Sequence, residues 1–294
     1  MWFIYSLLSA FFVSLSDVLS KKALDTEEAS LIAWVRFTYA IPFLILLIPF
    51  IDFPRLDLTF FIMCLVLIPL EVTAVLLYIK AIKISPLSTT LPFLSFTPLF
   101  LIITSYLILG ELPDTSGFIG ILFVVTGAYL LNIHTVRRGI FEPLRAIGRE
   151  KGAILMIAVS FIFSISSNLG KVAIQHSNPF FFAVFYPPLL SFSLLPIMLF
   201  RTSSKRSNSD SRGKFNKLFR RKIFYIIGLC IALESIFHFS AITIIEVSYM
   251  ISVKRTSLLF GIIFGAIFFG ENNIRERLVG GIIMIIGVTL ISVF

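Results

Sequence analysis

Charge is scarce in this sequence. Asp, Glu, Lys and Arg make up 14% of the 294 residues, where a soluble globular domain carries about 25%, so an ordinary water-soluble fold is excluded. Cysteine is nearly absent as well. Cys64 and Cys230 are the only two, each inside an apolar run, and that excludes a disulfide-framed module. With three histidines there is no Cys/His cluster, and no HExxH, P-loop or nucleophile elbow occurs. The reading is therefore of a protein that is not an enzyme, with no cofactor and no metal. Met1 to Leu19 lacks the basic start and small-residue cleavage site of a secretory leader, so it is expected to remain as a first helix.

What is abundant is apolar. Hydrophobic residues form 57% of the chain, the mean hydropathy is +0.98, and there are 33 Phe, more than a core needs but natural for side chains facing lipid. A helix needs about 20 apolar residues to cross the hydrocarbon layer. Such runs fall near residues 2–21, 30–52, 58–80, 86–109 and 115–134, and again near 152–173, 179–200, 222–244, 247–269 and 276–294. The expected fold class is an all-α polytopic membrane protein with ten transmembrane helices.

The two sets of five runs repeat one another. Laid over each other at an offset of 160, the stretches from Ser85 and from Ile245 match at Ser88/Ser248, Gly110/Gly270, Glu111/Glu271, Gly120/Gly280, Gly127/Gly287 and Leu130/Leu290. The segment Ser16–Leu24 (SDVLSKKAL) likewise meets Ser166–Ile174 (SSNLGKVAI) at an offset of 150. A repeat at constant spacing marks a duplication. Five is odd, so the second half must enter the bilayer inverted, a 5+5 arrangement that transporters use to build two mirror-related gates. The expected domains are a first five-helix half at 2–134, a basic linker at 135–151 and a second half at 152–294.

Charge sets the expected orientation. Arg55 and Lys171 stand near the face where the chain starts, whereas the opposite face collects twenty Lys and Arg, nine of them between Arg201 and Lys222. The positive-inside rule then puts the basic face in the cytoplasm and both termini outside a cell membrane. The segment RTSSKRSNSDSRGKFNKLFRRK invites a nucleic-acid reading, but juxtamembrane basic loops hold topology and touch anionic lipid. No nucleic-acid partner is expected; the bilayer and a small solute are, and the oligomeric state is left open.

Arg36, Glu71, Glu234, Lys254 and Arg255 lie well inside the apolar runs. At about 2.5–3.5 kcal/mol each for a helix centre facing lipid, the five would cost on the order of 12–18 kcal/mol, so they are expected to face one another or a wet interior. Ser248, Ser252 and Arg255 share one helical face by their 4,3 spacing, with Ser95 as the repeat partner of Arg255. Glu234 and His238 are four apart and neighbours, and either Glu234–Lys254 or Glu234–Arg255 contact is compatible with their depths. The candidate solute-binding set is Lys254, Arg255, Glu234, Glu71, Ser252, Ser248, His238 and Ser95. Bland alternatives stand beside it. Lys21, Lys22 and Lys171 at span ends are expected to snorkel, and Arg36 to snorkel or to face inward. The serines also suit close helix packing, His238 suits a packed hydrogen-bonded role, and Glu111 and Glu271 suit helix ends. Pro92 and Pro98 are expected to loosen the fourth helix.

The stretch SPLS at 85–88, the prolines at 92 and 98 and the segment LILGELPDTSGFIGILFVVTGAYLL resemble an EamA-type domain of the drug/metabolite transporter superfamily. SYMISVKRTSLLFGIIFGAIFFGE with GGIIMIIGVTLIS resembles a second, and together they cover essentially the whole chain. The resemblance implies ten helices around a central cavity lined by the first, third, fourth, sixth, eighth and ninth, alternating access, and export or exchange of amino acids, other metabolites, sugar derivatives or drugs. It also implies termini in the cytoplasm, against the charge bias. The small-multidrug branch uses an acid in its first helix; Asp17 stands near the end of this one, and no role is assigned to it on that ground. The leading expectation is a transporter of small organic solutes such as amino acids. The alternatives are an exporter of organic cations anchored on Glu71 or Glu234, and a non-transporting membrane scaffold or sensor.

Overall fold

The computed structural model describes residues 1–131, 151–204, 221–269 and 274–293. Every regular element among them is helical. The first half holds α1 (Trp2–Leu24), α2 (Ala29–Thr38), α3 (Ile41–Ile45), α4 (Leu58–Ile84), α5 (Leu87–Thr90), α6 (Phe96–Leu109) and α7 (Thr115–Leu130). The second holds α8 (Lys151–Gln175), α9 (Pro179–Ser204), α10 (Lys222–Ile242), α11 (Val247–Lys254), α12 (Ser257–Phe269) and α13 (Ile274–Val293). Seven helical stretches among the described residues are long and apolar enough to cross a membrane, and three shorter apolar ones, Ala29–Ile45, Thr115–Leu130 and Val279–Ser292, accompany them. Most of the expected lipid-contacting basic loops, and the repeat positions Gly270 and Glu271, lie outside the described residues.

Helix starts follow local chemistry. Asp57 and Asp114 cap α4 and α7, accepting from the Phe60 and Gly117 amides at 3.0 and 2.7 Å, which takes up orphan N–H groups of the first turn. Asn178 does the same for α9 through Phe181 at 2.6 Å, with Pro179 as the first helical residue. Gly110 ends α6 at φ +72°, a left-handed position that glycine adopts without strain.

Three runs that read as single spans are interrupted. The second breaks into α2, α3 and a 3₁₀ turn at Ile48–Phe50, because Pro42 and Pro49 cannot donate to the helical ladder. The fourth carries a 3₁₀ stretch at Leu91–Ser95 around Pro92, whereas Pro98 sits in the first turn of α6 and leaves that helix intact. The ninth breaks between α11 and α12 at Arg255–Thr256. Ser95 and Arg255 are repeat partners, so the two interruptions fall at one position of the repeat. At each, a hydroxyl takes a carbonyl of the broken turn: Ser95 Oγ donates to Pro92 at 2.7 Å and Thr256 Oγ1 to Val253 at 2.8 Å.

The packing pairs helices across the halves. α1 lies against α10 and α12, α8 lies against α4 and α6, α2 lies against α9, and α7 lies against α13. The last pair is backbone to backbone. A methyl added at Gly127 would sit 2.6 Å from the Gly280 carbonyl oxygen, and one at Gly287 would sit 2.6 Å from that of Gly120. Gly120 faces Gly287 while Gly127 faces Gly280, so α7 and α13 run antiparallel. Small residues let bilayer helices approach this closely and gain dispersion contacts that lipid cannot outbid.

Two expectations about span-end lysines are corrected here. Lys171 does not snorkel: its side chain is 8% exposed and bonds Glu111 at 2.6 Å and the Ile245 carbonyl at 2.9 Å. Lys21 bonds the Ile82 and Ser85 carbonyls at 2.6 and 3.0 Å. Lys21 and Lys171 are repeat partners, as are Ser85 and Ile245, so each half carries a lysine from its first helix to the carbonyl just past its third. The reason is the same in both: carbonyls at a helix C-terminus lack intrahelical donors and attract a cation. Glu111 is thus no simple helix-end acid, since its other oxygen accepts from the Val247 amide at 3.3 Å.

Candidate functional site

The interrupted helices border a central cavity of about 180 Å³. Its apolar wall includes Phe182, Tyr186 and Phe239, with Phe182 stacked on Tyr186 at 4.8 Å and edge-on to Phe239 at 4.9 Å between ring centroids. Against this wall stand six Asp, Glu, Lys and Arg side chains: Asp17, Arg36, Glu71, Glu234, Lys254 and Arg255.

Four of the six close on each other. Arg36 donates to Asp17 at 2.7 Å, both side chains being less than a tenth exposed. Asp17 also accepts from Tyr78 Oη at 2.5 Å, and the guanidinium lies 5.6 Å from the Tyr78 ring centroid. Lys254 bonds Glu234 at 2.5 Å and His238 Nδ1 at 3.0 Å, while Ser9 Oγ donates to Glu234 at 3.3 Å. Such pairs remove most of the cost of a charge in the membrane. Of the two contacts allowed by depth, Glu234–Lys254 forms. Glu234–Arg255 does not, because the chain turns out of α11 at Arg255 and carries that side chain toward Tyr78 and Asp17.

Two charges remain without an ion partner. Arg255 is 6% exposed and its Nε has no hydrogen-bond partner; among the described residues no carboxylate lies within 4.0 Å of it. Glu71 accepts from Ser166 Oγ at 2.5 Å, and no Lys or Arg of the described residues forms an ion pair with it. The hydroxyl of Tyr186, 5% exposed, is also without a partner. Buried polar groups in folded proteins are nearly always bonded, so Arg255 Nε and Tyr186 Oη are unusual among the residues around the cavity.

The structure brings Lys254, Arg255, Glu234, Glu71 and His238 to the cavity wall. It does not bring Ser248, Ser252 or Ser95 there. All three are buried, with Ser252 Oγ donating to the Ser248 carbonyl at 2.6 Å and Ser95 to Pro92. The wall takes Ile251, Lys254, Arg255, Ser257 and Leu258, so α11 presents to the cavity the neighbouring face centred on Ile251 and Lys254, with Arg255 at the edge shared with the serine face. Arg36 faces inward. Asp17, Tyr78, Ser166 and Tyr186 are additions from the structure. Asp17 and Arg36 carried a readable signal, opposite charges inside apolar runs; Tyr186 carried none. The second and seventh spans also contribute lining, through Phe37 and Leu190 among others. Among the described residues no group of three or more His, Cys, Asp or Glu is placed to hold a metal ion.

The family profile of the EamA-like transporter family matches residues 1–133 and 150–293. A search of curated proteins returned no match. A solved structure titled "Crystal structure of protein" aligns with a TM-score of 0.64 at 13% identity, covering 98% of each chain, which is a likeness of fold.

Proposed function

Because the chain belongs to the EamA-like transporter family, a group of polytopic membrane transporters, we propose that it moves a small zwitterionic solute, an amino acid or a related metabolite, through the central cavity by export or exchange. The observation that carries this reading is Arg255, a buried guanidinium on the cavity wall that forms no ion pair with a carboxylate among the described residues. A planar fork of donors matches a carboxylate in two parallel hydrogen bonds. Glu71, likewise without an ion pair among the described residues, offers the opposite pole for an ammonium group, with Ser166 and Tyr186 on the same wall. Lys254, Glu234 and His238 form a neutralised cluster between them. The cavity volume of about 180 Å³ suits a solute of that size.

The same reading takes the chain as ten spans in a 5+5 inverted repeat, with halves at 2–134 and 152–294 joined by the basic linker. Three features support it: the cross-half packing pairs, the antiparallel glycine contact of α7 with α13, and the two lysines that make one bond at opposite ends of the bundle. Alternating access follows from such symmetry. The charge bias supports both termini outside the cell membrane, with anionic lipid held at the cytoplasmic loops.

The test is counterflow of labelled L-amino acids in proteoliposomes. Arg255→Ala is expected to abolish it while the protein still purifies as a folded species, and Arg255→Lys to restore little, since an ammonium cannot form the fork. Unchanged counterflow in Arg255→Ala removes the assignment. A second reading rests on Glu71 alone, an acid open to a cationic solute. Competition between a cationic dye and amino acids for the purified protein separates the two.

A further inference from the structure

Three carboxylates reach the cavity, and their hydrogen-bond partners divide them into two kinds. Asp17 is held by the Arg36 guanidinium and Glu234 by the Lys254 ammonium. A proton added to either acid removes the negative charge beside its partner and leaves a buried cation without a counter-charge. Glu71 is held by the Ser166 hydroxyl, and a hydroxyl donates or accepts. As a carboxylate Glu71 accepts from Ser166; as an acid it donates to the same oxygen. The bond survives both states by rotation of one O–H.

The surroundings allow the change. Lys254 and Glu234 act on Glu71 with opposite sign and already neutralise each other, with His238 bonded to the same ammonium. From α1 and α2, Asp17 and Arg36 are closed on one another. From α9 comes Tyr186 and from α8 Ser166. Among the described residues no ion pair fixes Glu71 in one state, and its side chain lines the cavity.

Resting on the solute reading above, we propose that Glu71 is the proton-binding site of the transport cycle. The acid form crosses with the cavity empty. When the cavity opens to the other side and a solute enters, the ammonium takes the carboxylate, and the O–H proton passes to cavity water and then to bulk on that side. One proton then moves against each solute.

The experiment uses full-length protein in proteoliposomes containing a trapped pH dye, with a mixture of the proteinogenic L-amino acids added outside. Wild type is expected to couple amino-acid movement to an opposite proton movement. In Glu71→Gln the protons moved per solute are expected to fall to zero, with any remaining exchange independent of pH. Ser166→Ala keeps the acid but removes its partner; it is expected to retain coupled protons with a displaced pH midpoint of transport. Proton movement persisting in Glu71→Gln, or a Ser166→Ala midpoint identical to wild type, overturns the assignment. Wild-type exchange without protons overturns this inference alone. A wild type that exchanges none of the mixture overturns the solute reading and this one with it.

Discussion

Two glycine-to-alanine substitutions should move stability in opposite directions. In a helix interior alanine is favoured over glycine by about 1 kcal/mol, so any site with room gains roughly that. Gly170 in α8 has nothing within 4 Å of where a methyl would stand, and Gly170→Ala is expected to stabilise by about 1 kcal/mol. Gly127 has the Gly280 carbonyl oxygen, the Met284 amide nitrogen and the Met284 Cγ each 2.6 Å from that point. Two of those three atoms are backbone and cannot rotate away, so α7 and α13 must part. Overpacking costs about 1–3 kcal/mol, and separating two helices along their length falls at the upper end of that range. The clash exceeds the propensity gain, for a net loss of about 1–2 kcal/mol. Thermal unfolding of the detergent-purified protein reads both signs on one scale. A Gly127→Ala protein that melts as high as Gly170→Ala would show that the helices do not touch at this glycine.

Asp17→Ala leaves the Arg36 guanidinium buried and unpaired and is expected to cost about 3–5 kcal/mol, whereas Asp17→Ala with Arg36→Met removes both charges and recovers most of it; equal melting of the single and double variants would refute the pairing. Asp114 is held below its usual 3.8 by the Gly117 amide, the Tyr249 hydroxyl and the Ser116 hydroxyl. A carboxyl lowered on folding stabilises above its unfolded value, and that contribution is lost as pH falls through the lower folded value. The melting temperature is therefore expected to drop on acidification below about pH 4, and Asp114→Asn, which still caps α7, is expected to flatten that part of the profile.

Much of the fold was legible in the chain because lipid imposes a simple rule: a run of apolar residues long enough to span must satisfy its backbone as a helix. The interruption at Pro92 was readable for the same reason, since a missing N–H is visible in one dimension. The break at Arg255–Thr256 was not, having no proline or glycine at it, and spacing alone did not say which of two adjoining faces of α11, the one of Ser248 and Ser252 or the one of Ile251 and Lys254, meets the cavity. Pairings are another matter. Asp17 and Arg36 were both visible as costly charges, but which acid meets which base depends on how α1, α2 and α4 come together. Lys171 shows the limit most plainly, because a lysine near a span end looks alike whether it reaches out to headgroups or inward to Glu111. The repeated glycines announced a duplication; that Gly120 meets Gly287 rather than its own counterpart required the structure.

That crossing has a consequence for movement. Exchanging the halves sends Gly120 to Gly280 and Gly287 to Gly127, so the contact Gly120–Gly287 becomes Gly280–Gly127, which is already present. In an inverted repeat, the inward-open and outward-open shapes are related by that same exchange. An interface that maps onto itself has no reason to differ between them. On the proposed reading of an inverted repeat with alternating access, the α7/α13 seam would serve as the fixed axle, while the packing of α1 on α12 and of α8 on α6, which trade places, would be what the two shapes alternate.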